Sequence, residues 1–289
     1  MNQLVKIDCL AIIGVGLIGG SFALALKQAG AVREVLGVGR SASNLALAQQ
    51  HGLIDRVVGF AEATQADCIL LAMPVGETAA VLTQLAPHLK AGAVVTDAGS
   101  TKSNVIAAAK AALGARFSDF VPGHPIAGSE CNGPLAARAD LFQARKVVLT
   151  PTPETHAPAQ ALVAALWTVT GAQVEILDAV LHDQVFAAVS HLPHLAAYAL
   201  VHELAQRENS AEFFRFAASG FRDFTRIAGS SPEMWRDIAL TNRDALLSEL
   251  DAYIAALQCM RVAVESGDHE TLLRIFSRAR NAREHWLKK

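Results

Sequence analysis

Four short runs hold the residues able to do chemistry. His124 stands in Gly123-His124-Pro125-Ile126-Ala127-Gly128-Ser129-Glu130, after a short apolar run. Its glycines and prolines predict a rigid loop over 123–134. An imidazole held on such a loop titrates near neutral pH and suits proton transfer; the plainer reading is a structural histidine. Ser100, in Asp97-Ala98-Gly99-Ser100-Thr101-Lys102, follows another apolar run. Ligands of open parallel sheets bind outside such strand ends. Ser100 or Ser103 also suits a helix cap, and the two roles are compatible. His191 and His194 are three apart on one helix face, with Pro193 between them to kink it. Asp223 and Arg226 share that spacing. A carboxylate beside a guanidinium can brace its fork for a carboxylate ligand, although a surface ion pair is the commoner outcome.

Metal chemistry is not expected. The histidine pair lacks further ligands and any His-Glu-x-x-His pattern. Cys9, Cys68, Cys131 and Cys259 are scattered without a C-x-x-C pair, which predicts reduced thiols and a cytoplasmic setting.

A cofactor is expected instead. Leu10-Ala-Ile-Ile-Gly14-Val-Gly16-Leu17-Ile18-Gly19 sets G-x-G-x-x-G between a strand pattern and a helix pattern. Gly14 permits the tight turn, Gly16 lets backbone approach a pyrophosphate, and Gly19 lets helix and strand close up. The amides around Leu17 and Ile18 then face the phosphates with the positive end of the helix dipole. The alternative, a merely structural glycine turn, leaves the strand–turn–helix context unused. The next strand ends in Gly39-Arg40-Ser41, without the acid that usually holds the ribose hydroxyls of NAD. Arg40, with Ser41 beside it, suits a 2′-phosphate, so NADP is favoured over NAD. Met73 and Pro74, at the turn after a third strand pattern, are assigned to the same cofactor site.

The elements that must position these residues change character along the chain. Strand patterns at 10–13, 35–38, 68–72, 94–96, 120–122, 146–149 and 174–176 alternate with helix patterns at 20–29, 44–51, 78–85, 103–113 and 158–169. That alternation predicts βαβ units around a parallel sheet. Beyond residue 177 only helices are expected, at 181–205, 211–216, 234–264 and 271–286. The fold class is therefore α/β: a Rossmann-type dinucleotide-binding domain (1–177) followed by an all-α dimerisation and substrate-binding domain (178–289). The stripe Leu246, Leu250, Ile254, Leu257 on so small a helical domain points to a homodimer that buries it.

Of the 289 residues, 52% are hydrophobic and 18% charged, which excludes a disordered chain. A net charge of −2 gives no field for nucleic acid or an anionic membrane. No uninterrupted apolar run reaches about 18 residues, so no membrane span is expected. Nor does the glycine-punctuated N-terminus read as a signal peptide.

The runs GVGLIGGS, DAGSTKS, GHPIAGSECNG, SHLPH and GFRDFTRIAGSSPEMW occur in this order, over almost the whole chain. In that order the chain resembles the prephenate/arogenate dehydrogenase family. The resemblance implies a substrate, prephenate or arogenate, with a ring carboxylate and a 4-hydroxyl. Hydride leaves the hydroxyl-bearing carbon for NAD(P)+, and CO2 leaves the ring. His124 then matches the family histidine that takes the hydroxyl proton, and Ser100 the serine that orients it. Arg226 matches the arginine that binds substrate carboxylate, with Asp223 as its brace. His194 and His191 match the helix histidines of the substrate site, and Ser129 and Glu130 a position at its mouth. Because the chain stops at Lys289, no fused mutase or regulatory domain is expected. Two other readings compete. A 3-hydroxyacid dehydrogenase would use a lysine on the helical domain, yet no lysine lies between Lys146 and Lys288. A non-catalytic NADP(H)-sensing module gives His124 and Arg226 no work.

Overall fold

A computed structural model describes residues 5–129 and 131–288. In β1 (Ile7–Ile13), side chains alternate between two apolar layers. Leu10 and Ile12 join Phe22, Leu26 and Trp167 on one face; Ala11 and Ile13 join Leu71, Val95 and Phe120 on the other. A parallel strand covered on both sides needs this near-continuous burial.

The chain continues through α1 (Leu17–Gln28), β2 (Val32–Val38), α2 (Ala42–Gln50), β3 (Arg56–Val57), α3 (Phe60–Ala63) and β4 (Cys68–Leu71). Then come α4 (Thr78–Leu85), β5 (Val94–Asp97), α5 (Ser103–Leu113) and β6 (Phe120–Val121). The six strands form a parallel sheet of order β3-β2-β1-β4-β5-β6. Sheet order reverses between β1 and β4, which opens a crevice at their carboxyl ends. This is the Rossmann-type arrangement.

The structure corrects the expected loop at His124. Gly123–Pro125 is a strand, β7, which pairs antiparallel with β8 (Lys146–Leu149) and sets His124 opposite Val148. α6 (Ala157–Val169) leads to β9 (Gln173–Ile176), which runs parallel to β8. These strands form a second sheet, where the sequence pattern predicts extensions of the first. Gly123 permits the arrangement, since a Cβ there would lie 2.9 Å from the Asp97 carbonyl oxygen.

Two long helices of the pattern are interrupted. The 181–205 segment is α7 (Ala179–Phe186), a π turn at Ala187–His191, and α8 (Leu192–Ala205). Pro193 has no N–H to give and its ring crowds the carbonyl four residues back, so the turn ahead of it widens. After α9 (Ser210–Arg215) and α10 (Ser219–Thr225), the 234–264 segment is α11 (Pro232–Thr241) and α12 (Arg243–Ser266), parted at Asn242. α13 (His269–Leu287) follows.

Contacts group residues 1–243 and 244–289 into two units. That division lies elsewhere than the change from strands to helices near residue 177, because α7 packs on α5 and α11 on the turn Val75–Glu77. By length and composition alone the run Ala179–Ala205 could cross a membrane. It also carries His182, Asp183 and His191, all buried in the protein.

Candidate active site

The glycine loop divides into positions the protein needs and one it does not. Gly14 has φ +97°, and a Cβ there would lie 2.7 Å from the Met73 nitrogen. At Gly19 a Cβ would lie 2.6 Å from the Gly14 carbonyl oxygen and 2.6 Å from Ile12 Cγ2. At Gly16 it would meet nothing within 4 Å. Gly16 therefore keeps space for something other than the chain. It caps α1 with no side-chain hydrogen bond, and the first helical bond runs from Gly20 N–H to the Gly16 carbonyl. The amides of Leu17, Ile18 and Gly19 precede that bond and suit an anion. This donor set fits a dinucleotide pyrophosphate. Met73 and Pro74 follow β4, half-buried across the crevice from β1. Arg40 is exposed at the end of β2 and ion-paired to Glu77 at 3.2 Å. The Ser41 hydroxyl accepts from the Asn44 amide as the cap of α2.

On the other side of the sheet end lies a buried polar cluster. Lys102 Nζ donates to Asp97 Oδ2 and to the Gly123 carbonyl at 2.7 Å, and Gly123 N–H donates to Asp97 Oδ1 at 3.0 Å. The ion pair thus ties the end of β5 to β7 and fixes the backbone of the adjoining His124. Burial lowers the Lys102 amine below its usual range, against the pull of Asp97. His124 is buried, and its Nδ1 lies 2.9 Å from His182 Nε2. His182 Nδ1 in turn lies 2.9 Å from Asp183 Oδ1. The Asp183 carboxylate accepts the amides of Lys102 and Ser103, each at 2.8 Å. It therefore caps α5 from 80 residues away, where the sequence suggests a serine cap.

Burial and hydrogen bonds set the charge of the two histidines and of Asp183. Burial lowers His124 well below the usual histidine range, with added repulsion from His182, Lys102 and His191. Burial also lowers His182, although Asp183 opposes it. Burial alone would raise Asp183, but hydrogen bonds from His182, Ser103 and Lys102 outweigh it and keep the carboxyl below its usual range. At neutral pH the histidines are neutral and Asp183 is charged.

His191 extends the cluster. Asn242 Nδ2 donates to the Asp183 carbonyl at 2.8 Å, which fixes the amide's orientation, and lies 3.1 Å from His191 Nδ1. Nδ1 is therefore the acceptor and Nε2 carries the hydrogen. That Nε2 is buried and has no hydrogen-bond partner among the described residues. Burial pushes His191 down to about 4. His194 stacks on Trp235 with ring centroids 3.5 Å apart, and its Nδ1 lies 2.8 Å from the Ser190 carbonyl. Burial lowers His194 too, and the positive charge of Arg226 adds to the shift.

The structure thus brings together His124, His191, His194 and Arg226. Ser100 is half-buried just past β5, between Gly99 and the Lys102 anchor. The expected Asp223–Arg226 brace is not formed: Asp223 is exposed and makes no ion pair among the described residues. α10 ends at Thr225, and Arg226 opens a tighter 3-10 turn, so the two side chains leave the face they would share on one helix. Ser129 is exposed, and among the described residues its hydroxyl bonds only the Cys131 main chain. Glu130 lies outside the described residues. Among the described residues no cluster suits a metal ion.

Sequence reasoning missed Asp97, Lys102, His182, Asp183 and Asn242. The signal was faint but physical: His182 and Asp183 stand in a largely apolar helix, and charged groups are seldom buried unless paired.

A phosphate cradle at a Rossmann switch point beside a buried neutral base defines a nicotinamide-dependent dehydrogenase. Residues 22–176 match the family profile described as prephenate dehydrogenase, nucleotide-binding domain, and residues 178–278 the one described as prephenate dehydrogenase, dimerization domain. The chain belongs to the prephenate dehydrogenase family, which are NAD(P)-dependent oxidoreductases. It is 38% identical to a prephenate dehydrogenase of Bacillus subtilis over 98% of this chain and 77% of that protein. It is 38% identical to a cyclohexadienyl dehydrogenase of Zymomonas mobilis over 95% of this chain and 94% of that one. The crystal structure of prephenate dehydrogenase from A. aeolicus in complex with hydroxyphenyl propionate and NAD+ superposes with a TM-score of 0.91. It is 33% identical and covers 98% of this chain and 99% of that one.

Proposed function

We propose that this chain oxidises the hydroxyl-bearing ring carbon of prephenate or arogenate, with loss of CO2, to give 4-hydroxyphenylpyruvate or tyrosine. The observation that carries this reading is His124: a buried, neutral imidazole anchored at Nδ1, which leaves Nε2 for a substrate hydroxyl. The nicotinamide, when bound, supplies the hydride acceptor. His124 takes the hydroxyl proton as hydride leaves, and Ser100 orients that hydroxyl. The unpartnered Nε2–H of His191, with His194 and Arg226, meets the substrate's polar groups. Ser129 and Glu130 flank the mouth of the site, an assignment that rests on the family resemblance. In this reading the dinucleotide-binding part is residues 1–177 and the helical part 178–289.

NADP is the preferred cofactor. Arg40, Ser41 and Ser43 cluster at the start of α2. The Arg40–Glu77 pair is solvent-exposed, so a phosphate can displace it at small cost. The working form is a homodimer in the cytoplasm, where Cys131 and Cys259, exposed and free, stay reduced.

Initial rates of reduced-cofactor absorbance, with prephenate and arogenate each tested against NAD and NADP, check the whole reading. Turnover with one of the ring substrates is expected, and no turnover with any pair would overturn it. In the same assay His124→Asn lowers kcat by about 100-fold or more, the usual contribution of a general base. Arg40→Ala raises KM for NADP more than for NAD; equal effects would return Arg40 to an indifferent surface role.

A further inference from the structure

His182 and Asp183 have no part in the chemistry described so far, yet they stand directly behind His124 in a hydrogen-bonded line. The hydrogens on that line can be assigned one at a time. Asp183 is an anion that accepts two main-chain amides at the start of α5, so it can only accept from His182 Nδ1. His182 Nδ1 therefore carries a hydrogen. A neutral imidazole has only one, so His182 Nε2 is a bare acceptor. The 2.9 Å contact between the two rings then requires His124 Nδ1 to be the donor. His124 Nε2 is left with its lone pair, the state needed to receive a proton. Phe186 packs against both rings, with centroids 4.8 Å from His124 and 4.5 Å from His182, and walls the line with apolar surface.

We propose that His182 and Asp183 are a positioning relay that fixes His124 in its Nδ1–H tautomer and holds the proton His124 receives until it is returned. This rests on His124 being the proton acceptor of the proposed reaction. As hydride leaves the ring carbon, the substrate O–H bond breaks and its proton joins His124 Nε2. The Nδ1 proton of His124 passes to His182 Nε2. His182 becomes an imidazolium whose Nδ1–H remains on the Asp183 carboxylate. The ring carbon then bears a carbonyl. When the bond to the ring carboxylate breaks, its electron pair enters the ring, CO2 departs, and the carbonyl oxygen becomes phenolic. That oxygen takes back the proton from His124 as the one on His182 returns. The overall reaction releases no proton, so a buried site can lend one and recover it without opening to water. The titratable groups facing the line are Lys102 and Asp97 from the turn before α5 and from β5, and the neutral His191 from the π turn. Lys102 is already paired with Asp97, so Asp183 is the one anion hydrogen-bonded to the relay among the described residues.

Two variants and one spectroscopic measurement test the relay. In ¹⁵N-histidine NMR of the full chain at pH 7.5, His124 should show Nδ1 protonated and Nε2 bare. His182→Leu, which removes the acceptor, should shift His124 to the Nε2–H tautomer and lower kcat about 100-fold with KM within about threefold. His182→Gln offers a carbonyl acceptor but cannot hold the proton, so it should keep the Nδ1–H tautomer and lose about tenfold in kcat. An Nε2–H tautomer in the wild type, or a kcat in both variants within threefold of the wild type, would overturn the relay. The NMR result does not depend on turnover. The predicted tautomer without activity on either ring substrate would therefore count against the proposed reaction and leave the positioning role standing.

Discussion

At the scale of single residues, the resting site is an arrangement of buried groups in which burial keeps the histidines neutral and hydrogen bonds keep Asp183 charged. His191 shows what this costs. Its Nε2–H has no partner among the described residues, a cost of about 1–3 kcal/mol that a bound acceptor would relieve. The depressed histidines also tie stability to pH. A histidine with a lower pKa in the folded state than in the unfolded one binds its proton first in the unfolded chain. Falling pH therefore favours unfolding from about 6.5, the unfolded value, down to the folded value. For His191 that window runs to about 4, and His124 and His182 act in the same direction. Asp183, held below its usual range, adds a loss of the same sign only at lower pH. Denaturant unfolding at pH 7.5 and pH 5 should show lower stability at pH 5. The slope can reach about 1.4 kcal/mol per pH unit for each buried histidine that titrates only when unfolded. His191→Gln should flatten part of that slope, and an unchanged slope would mean that His191 is protonated in the folded protein.

Among elements, the glycine loop separates folding from binding. Gly19 is required because α1 crosses β1 too closely for a side chain, whereas Gly16 faces open space. Gly16→Val should leave the melting temperature nearly unchanged and weaken NADP and NAD binding at least about tenfold, read by quenching of intrinsic fluorescence. Gly19→Val should destabilise by about 1–3 kcal/mol as well, because overpacking forces the helix away from the strand. Equal loss of stability in both variants would mean that Gly16 is a folding position. The sequence pattern found β1 and α1, each starting three residues too late, because strand, turn and helix there are local and agree with one another. It missed β7 because Gly123-His124-Pro125 has loop composition; only the Asp97–Lys102 pair and the edge of β8 turn it into a strand. The breaks at Pro193 and Asn242 have the same origin. Proline announces itself, but Asn242 leaves the helix to bond the main chain of Asp183, 59 residues earlier.

For the whole molecule, the unfinished business is apolar surface. The stripe Leu246, Leu250, Ile254, Leu257 begins buried at Leu246, 3% exposed, and ends with Ile254 and Leu257 at 42% and 44%. On α7 and the π turn, Val180, Leu181 and Val189 are also exposed, although α7 buries its polar residues His182 and Asp183. Exposed apolar side chains on each of these elements suit burial against a partner subunit. Sedimentation at micromolar concentration should give twice the chain mass, and Ile254→Glu with Leu257→Glu should weaken the association. A monomeric wild type would remove the homodimer from the proposed function.

The sequence by itself determined the dinucleotide cradle and the switch from βαβ units to helices, while the roles of His124, Ser100 and Arg226 came with the family resemblance. The cradle and the switch rest on local geometry and on spacing within a few residues, which the chain carries in one dimension. Only the tertiary structure decided how His124 is made ready. The line from α5 through Asp183 and His182 to His124 joins a helix start, a second helix and a strand of another sheet. It also decided that Asp223 stands apart from Arg226. Long-range partners of this kind depend on where separate elements meet, and no sequence period records that.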